Sequence, residues 1–186
     1  KYALDQEGGQ ISDLFVFLQN FHEVTSVEDA NYYLQRLAGM GAVIDQYRIN
    51  SKMRANKEVI VPAYAFDPLI AGTQALLDGS PLQDSTDENS LYGDFKAKVS
   101  TLEISDNDRV AMLAQAEKEL KGPISKAIYS LIHELKRQQK LQKNNHGAWA
   151  LPDGQAYYEH QIKQNTTVAL TSQELHQTGL NEVARI

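Results

Sequence analysis

The run Ser26-Val-Glu-Asp-Ala-Asn-Tyr-Tyr-Leu-Gln-Arg-Leu37 carries a helix start and the first turns of a long apolar stripe. The Ser26 side chain can accept one of the orphan amides of a first helical turn, and the acidic residues after it suit the positive end of a helix dipole. Downstream, Tyr33, Leu34, Leu37, Gly41, Ile44 and Tyr47 lie at helical spacing and define one apolar face. Gly39 and Gly41 each cost about 1 kcal/mol relative to Ala in a helix, so the pair predicts a close helix–helix approach or a bend. The same period recurs through nearly the whole chain. The expected fold class is therefore all-α, a multi-helix array of about six to nine helices with little or no sheet.

Working outward, Ile11, Leu14, Phe15 and Leu18, with Phe21 on the same side, predict a helix over about 10–22. Val59-Ile-Val-Pro62 is β-branched, but a single run has no partner strand and reads as an extended connector. Asp67-Pro68 is expected to start the next helix, which Leu69, Ile70, Leu76 and Leu77 carry to Asp78. Residues 79–90 (GSPLQDSTDENS) read as a mobile or poorly packed surface loop. A short helix carries Leu91, Tyr92, Phe95 and Val99. Ser105-Asp-Asn-Asp108 caps another, with Val110, Leu113, Ala114 and Leu120 as its core face. Pro123 lacks an amide donor and is expected to bend or break that helix. A further helix carries Ile124, Ile128, Leu131, Ile132 and Leu135 to about Lys140.

Residues 144–154 form a turn-rich connector that includes Asn144-Asn-His-Gly147 and Pro152-Asp-Gly154. A helix with Tyr157, Tyr158 and Ile162 follows. Thr171-Ser-Gln-Glu174 is a capping box, and Leu175, Thr178, Gly179 and Val183 are the expected buried face of the last helix.

The composition narrows the function classes. A net charge of −6 over 186 residues argues against a nucleic-acid surface, which needs a basic stripe. No apolar run approaches the roughly 20 residues of a membrane span. Without cysteine there is no disulfide and no thiolate metal site. Lys1 at the start and an apolar-periodic pattern running to Ile186 suggest a segment of a longer protein, read as one helical unit over 1–186.

His133-Glu134 invites the H-E-x-x-H zinc motif, but Arg137 stands where the second histidine belongs. The histidines at 22, 133, 146, 160 and 176 show no ligand-like pairing with acids, and each reads as a surface or hydrogen-bonded core residue. No phosphate loop, no G-x-S-x-G elbow and no cysteine nucleophile occur. Asn165-Thr-Thr167 fits a glycosylation pattern that is common by chance. No catalytic or metal-ligating residue is therefore assigned.

The C-terminal run holds Gly147, Leu151, Pro152, Gly154, Tyr157 and Tyr158, then Thr166 and Thr167. Leu170, Thr171, Glu174, His176, Gly179, Leu180, Glu182, Val183, Arg185 and Ile186 complete it. In that order these residues resemble the bacterial domain-of-unknown-function family 885. A looser resemblance continues upstream through Phe21-His22, Ala30–Leu37, Val59–Pro62 and Gly122-Pro123. The resemblance implies a longer, mostly helical, secreted or lipid-anchored envelope protein that looks like a zinc metallopeptidase. Its H-E-x-x-P-G-H zinc motif lies downstream of this segment. Zinc is thus expected in the full-length parent and no cofactor in the segment. The expected partners are the rest of the parent chain and a peptide substrate.

Two functions follow as expectations. The first is a catalytically inert helical part of a zinc-dependent peptidase that lines its substrate cleft. The second is a helical interaction or scaffold module of a bacterial envelope protein. Within the first, Tyr157, Tyr158, Thr166 and Thr167 are the candidate substrate-binding residues, because hydroxyls in a polar loop can donate to a peptide carbonyl or a developing oxyanion. Tyr hydroxyls also tie loops to helices, and paired threonines also cap helix ends.

Overall fold

The computed structural model describes Leu4, residues 9–143 and residues 147–186. The described residues hold eight α-helices: α1 (Gly9–Phe21), α2 (Val27–Ala55), α3 (Ala63–Ala75), α4 (Ser90–Ser100), α5 (Asp106–Glu119), α6 (Ser125–Leu141), α7 (Gly154–Thr166) and α8 (Ser172–Arg185). No strand occurs among the described residues, and Ser80 and Glu88 form one isolated bridge. The all-α expectation holds.

Helix α2 is the axis of the array. Ser26 caps it, its Oγ accepting from the Asp29 amide at 3.1 Å while donating to the Asp29 carboxylate at 2.8 Å. Tyr33, Leu34, Leu37, Met40 and Ile44 are buried along one face, and α1, α5 and α6 pack on this helix. Gly41 explains the approach: a β-carbon there would stand 2.9 Å from both the carbonyl carbon and oxygen of Pro123. Gly39 meets nothing within 4 Å, so only one glycine of the pair is needed for packing.

Pro123 neither breaks nor ends its helix. Leu120–Ile124 widen into one π turn, and α5 runs through it into α6. The Ser125 amide reaches back to the Leu120 carbonyl, and the Ser125 hydroxyl donates to the same oxygen at 2.7 Å. Such a bulge absorbs the register in which proline offers no donor. Leu120, Ile124, Ile128 and Leu131 stay fully buried across the junction.

Several expected faces and boundaries differ. Helix α3 begins at Ala63 rather than after Asp67, because Ala65 and Phe66 are buried and hold the earlier turn in place, leaving Pro68 inside the helix. Asp67 is not a cap; it accepts from Gln139 Nε2 at 2.7 Å. This helix stops at Ala75, with Leu77 buried in the turn beyond it. On α5 the inward face is Ala116 with Met112 and Leu113, while Val110 and Ala114 are exposed. Phe21 points outward at 71% exposure and stacks on Phe17.

The 79–90 segment is largely exposed, yet its neck is packed. Asn89 is buried and donates to the Leu76 and Asp78 carbonyls, at 3.1 and 2.9 Å, while its amide Oδ1 caps α4. The Ser80 amide donates to Asp87 O, and the Asn89 amide donates to Ser80 O. Gly79 has φ +90 and lies too close to the Glu88–Asn89 backbone for any β-carbon, so glycine is required here.

The C-terminal helices differ in kind from α1–α6. The Pro152-Asp-Gly154 turn forms as expected, its Gly154 amide bonded to Leu151 O at 3.0 Å. The part of the expected connector at 144–146 lies outside the described residues. The capping box of α8 is complete, but no residue of α8 is buried, which overturns the expected inward face at Leu175, Thr178, Gly179 and Val183. Val183 is 75% exposed.

The two glycines of α2 give a paired prediction. Gly39→Ala adds helix propensity in open space and should stabilise by up to about 1 kcal/mol. Gly41→Ala drives a β-carbon into the Pro123 backbone and should destabilise by about 1–3 kcal/mol. Urea unfolding midpoints with unchanged slope check both, and a stabilised Gly41→Ala would refute the close approach.

Candidate functional site

The four sequence-predicted residues all lie on or just beyond α7. Tyr157 and Tyr158 sit in its first turns and are exposed, and neither hydroxyl has a hydrogen-bond partner among the described residues. Thr166 and Thr167 close the helix. Thr166 Oγ1 donates back to Ile162 O at 2.8 Å, and Thr167, in the left-handed conformation at φ 61, donates its hydroxyl to Thr166 O at 2.6 Å. The two pairs stand about 12 Å apart along the axis, so they form two places rather than one constellation. Trp149, on a 3-10 turn before α7, is 81% exposed and adds to the aromatic surface. All three aromatics are exposed.

A second polar centre, where the sequence shows only a failed zinc motif, lies between α2 and α6. Glu134 is buried, and both of its oxygens are engaged: Arg137 Nε donates to Oε2 at 2.9 Å, and Arg137 Nη2 and Gln138 Nε2 donate to Oε1 at 2.7 and 2.8 Å. Gln138 also donates to Ser51 Oγ at 3.0 Å, which joins the two helices through buried side chains. The Arg137 bonds hold the Glu134 carboxyl below its ordinary value, against the burial that raises it. Three donors thus meet the carboxylate, two on Oε1 and one on Oε2. Among the described residues no three His, Cys, Asp or Glu side chains gather to hold a metal ion.

A third centre sits at the start of α2. His22 is buried, its ring edge against Tyr33 at 5.1 Å between centroids. Arg36 Nη1 lies 2.6 Å from His22 Nδ1, and Nε2 lies 3.1 Å from Asp29 O. A guanidinium can only donate, so Nδ1 carries the lone pair and Nε2 the proton. Burial, chiefly, lowers the His22 pKa and keeps the ring neutral. Tyr33 donates to Asp94 Oδ2 at 2.8 Å, and Lys98 bonds the same oxygen and the Leu18 and Gln19 carbonyls at the end of α1. These bonds join α1, α2 and α4. We read the centre as structural.

The model of the family described as "Bacterial protein of unknown function (DUF885)" matches residues 1–186. The crystal structure titled as that of the "putative lipoprotein" from Colwellia psychrerythraea shares the fold, with a TM-score of 0.86 at 21% identity. The match covers 99% of this chain and 31% of that one, so the chain spans about a third of its length. No curated protein matches the chain.

The Glu134 network predicts a pH signature. Because its folded-state value lies below the ordinary one near 4.5, its stabilisation is complete at neutral pH and is lost as pH falls through the depressed folded value. Glu134→Gln keeps the shape and removes the charge. It should cost about 1–2 kcal/mol near pH 7, the partly exposed Arg137 screening the pair, and much less near pH 3. Thermal unfolding at the two pH values measures the deficit, and an equal deficit at both would assign the effect to shape alone.

Proposed function

The chain belongs to the bacterial family DUF885, and we propose that it is the non-catalytic helical portion of a larger, zinc-peptidase-like envelope protein and lines part of its substrate cleft. The observation that carries this reading is the outward-facing C-terminal surface. Trp149, Tyr157 and Tyr158 on one side and Leu180 and Val183 on α8 are exposed, on helices that bury almost nothing against α1–α6. Apolar surface of this extent marks an interaction site or a binding groove. The share of the solved neighbour left uncovered supplies room for a covering partner, the remainder of the parent chain.

The segment itself performs no hydrolysis in this reading. Peptide-bond cleavage by the zinc route needs a metal-activated water, and the ligands for that metal belong to the part of the parent that follows. The contribution of this chain is positional: Tyr157 and Tyr158 carry unpartnered hydroxyls on an apolar body, suited to a peptide that is half buried and half wet. The threonines close α7 with hydroxyls donated to their own helix, leaving lone pairs to accept from a substrate amide. The description of the solved neighbour as a lipoprotein supports an envelope location for the parent. Among the described residues no helix is long and apolar enough to cross a membrane.

The experiment is a peptidase assay on the full-length parent with and without a chelator. Tyr157→Phe and Tyr158→Phe should each lower kcat/KM about three- to tenfold, the loss of one hydrogen bond, with Tm unchanged, and Thr166→Val and Thr167→Val serve as the paired test of the helix end. A lowered Tm with normal kcat would make a residue part of the fold only. A parent without chelator-sensitive turnover would favour the scaffold function instead.

A further inference from the structure

We propose that the groove between α2 and α6 binds a small, at least doubly charged oxyanion, a phosphate or a dicarboxylate, on Arg48, Lys52 and His133. This goes beyond the peptidase reading and does not depend on it. The groove encloses about 870 Å³ and opens to solvent. Arg48 and Lys52 lie one turn apart on α2, and Tyr129, His133 and Arg137 follow at the same spacing on α6; with Asn56 and Ser130, seven donor-bearing side chains line its two walls.

The hydrogen-bonding inventory is one-sided. Arg48 gives only its Nε, to Asp45 at 2.6 Å, which leaves its terminal N–H groups uncommitted. The Lys52 ammonium, the Tyr129 hydroxyl and the His133 ring have no hydrogen-bond partner among the described residues. Glu134, the acid at the back of the groove, already accepts from Arg137 and Gln138 through both oxygens. Donors thus outnumber free acceptors. The occupant that satisfies them is rich in acceptors and negatively charged.

Electrostatics point the same way. Glu134 is influenced by Lys52, and Arg48 by Glu134, across the two helices, so the cations of one wall face the carboxylate of the other. That carboxylate is spent on the buried Arg137–Gln138–Ser51 network, and its charge is balanced there. Asp45 balances Arg48 in turn, so Lys52 supplies the net positive charge at the mouth and the terminal N–H groups of Arg48 add free donors. In a chain of net charge −6, a concave site with this local excess is a departure from the general surface.

Titration calorimetry of the full-length protein at low ionic strength, with inorganic phosphate in one arm and succinate in the other, tests this. One-to-one binding of at least one anion is expected, weakening as salt is raised. Lys52→Gln and Arg48→Gln should each reduce affinity about tenfold, the loss of one charge-assisted contact, while Lys140→Gln at the far end of α6 leaves it unchanged. Lys52 is exposed, so its Tm should hold, and a fall in Tm at the half-buried, Asp45-paired Arg48 would leave Lys52→Gln as the deciding variant. Binding of phosphate alone or of succinate alone supports the site and identifies the ligand chemistry. No binding of either, or binding that survives the Lys52→Gln, Arg48→Gln double variant, overturns it.

Discussion

The close passage of α2 over the junction between α5 and α6 is the constraint on which the rest of the array depends. Gly41 offers no side chain, and the Pro123 backbone occupies the space that a β-carbon would take. A helix of 29 residues is about 44 Å long, and this contact fixes where along that length its neighbours sit. The π turn makes the contact possible from the other side. Had Pro123 broken its helix, α6 would not continue the line of α5, and the stripe from Leu120 to Leu131 would not present a single face to α2.

Polar pairing then sets the register that apolar packing leaves loose. Toward the C-terminal end of α2, Ser51 and Gln138 join the helix to α6 through buried side chains. At its start, Tyr33 and Asp94 join it to α4, with Lys98 holding the end of α1. Among the described residues no buried side-chain polar atom lacks a partner. Such networks are costly if half-satisfied and specific when complete, because a shift by one residue would orphan a buried charge. The same network that locks α6 onto α2 consumes the acceptors at the back of the groove and turns the remaining donors outward.

Much of this was legible in the sequence, for local reasons. The starts of α2, α5 and α8 were readable because Ser26, Ser105 and Thr171 satisfy their first turns with their own side chains. What failed were statements about what lies opposite a face. Phe21 and Val110 fit an apolar period, but each sits where no neighbouring helix reaches. The start of α3 is displaced because Asp67-Pro68 is a good local signal, and burial of Ala65 and Phe66 just before it, in a turn that begins at Ala63, outweighs it. The Glu134 network was invisible because its members come from helices some ninety positions apart, and only the failed zinc pattern drew attention to the residue. Tyr157, Tyr158, Thr166 and Thr167 were readable as a group on the chain but not as two separate places on one helix.

Helices α7 and α8 show why a clear helix signal says nothing about where a helix is packed. The capping box at Thr171, the left-handed residue at Thr167 and the bonds from Gln177 to Asn181 and from Arg185 to Glu182 all lie within the segment itself. They specify helical backbone whether or not anything covers it. The apolar stripe of α8 adds a demand that these local bonds cannot meet, since burial is where a helix of this length gains most of its stability. In α1–α6 that demand is met by neighbouring helices of the same chain. In α8 it is left open at Leu180, Val183 and Ile186, all exposed. The array therefore has one finished core and, on α8, an apolar stripe that nothing among the described residues covers.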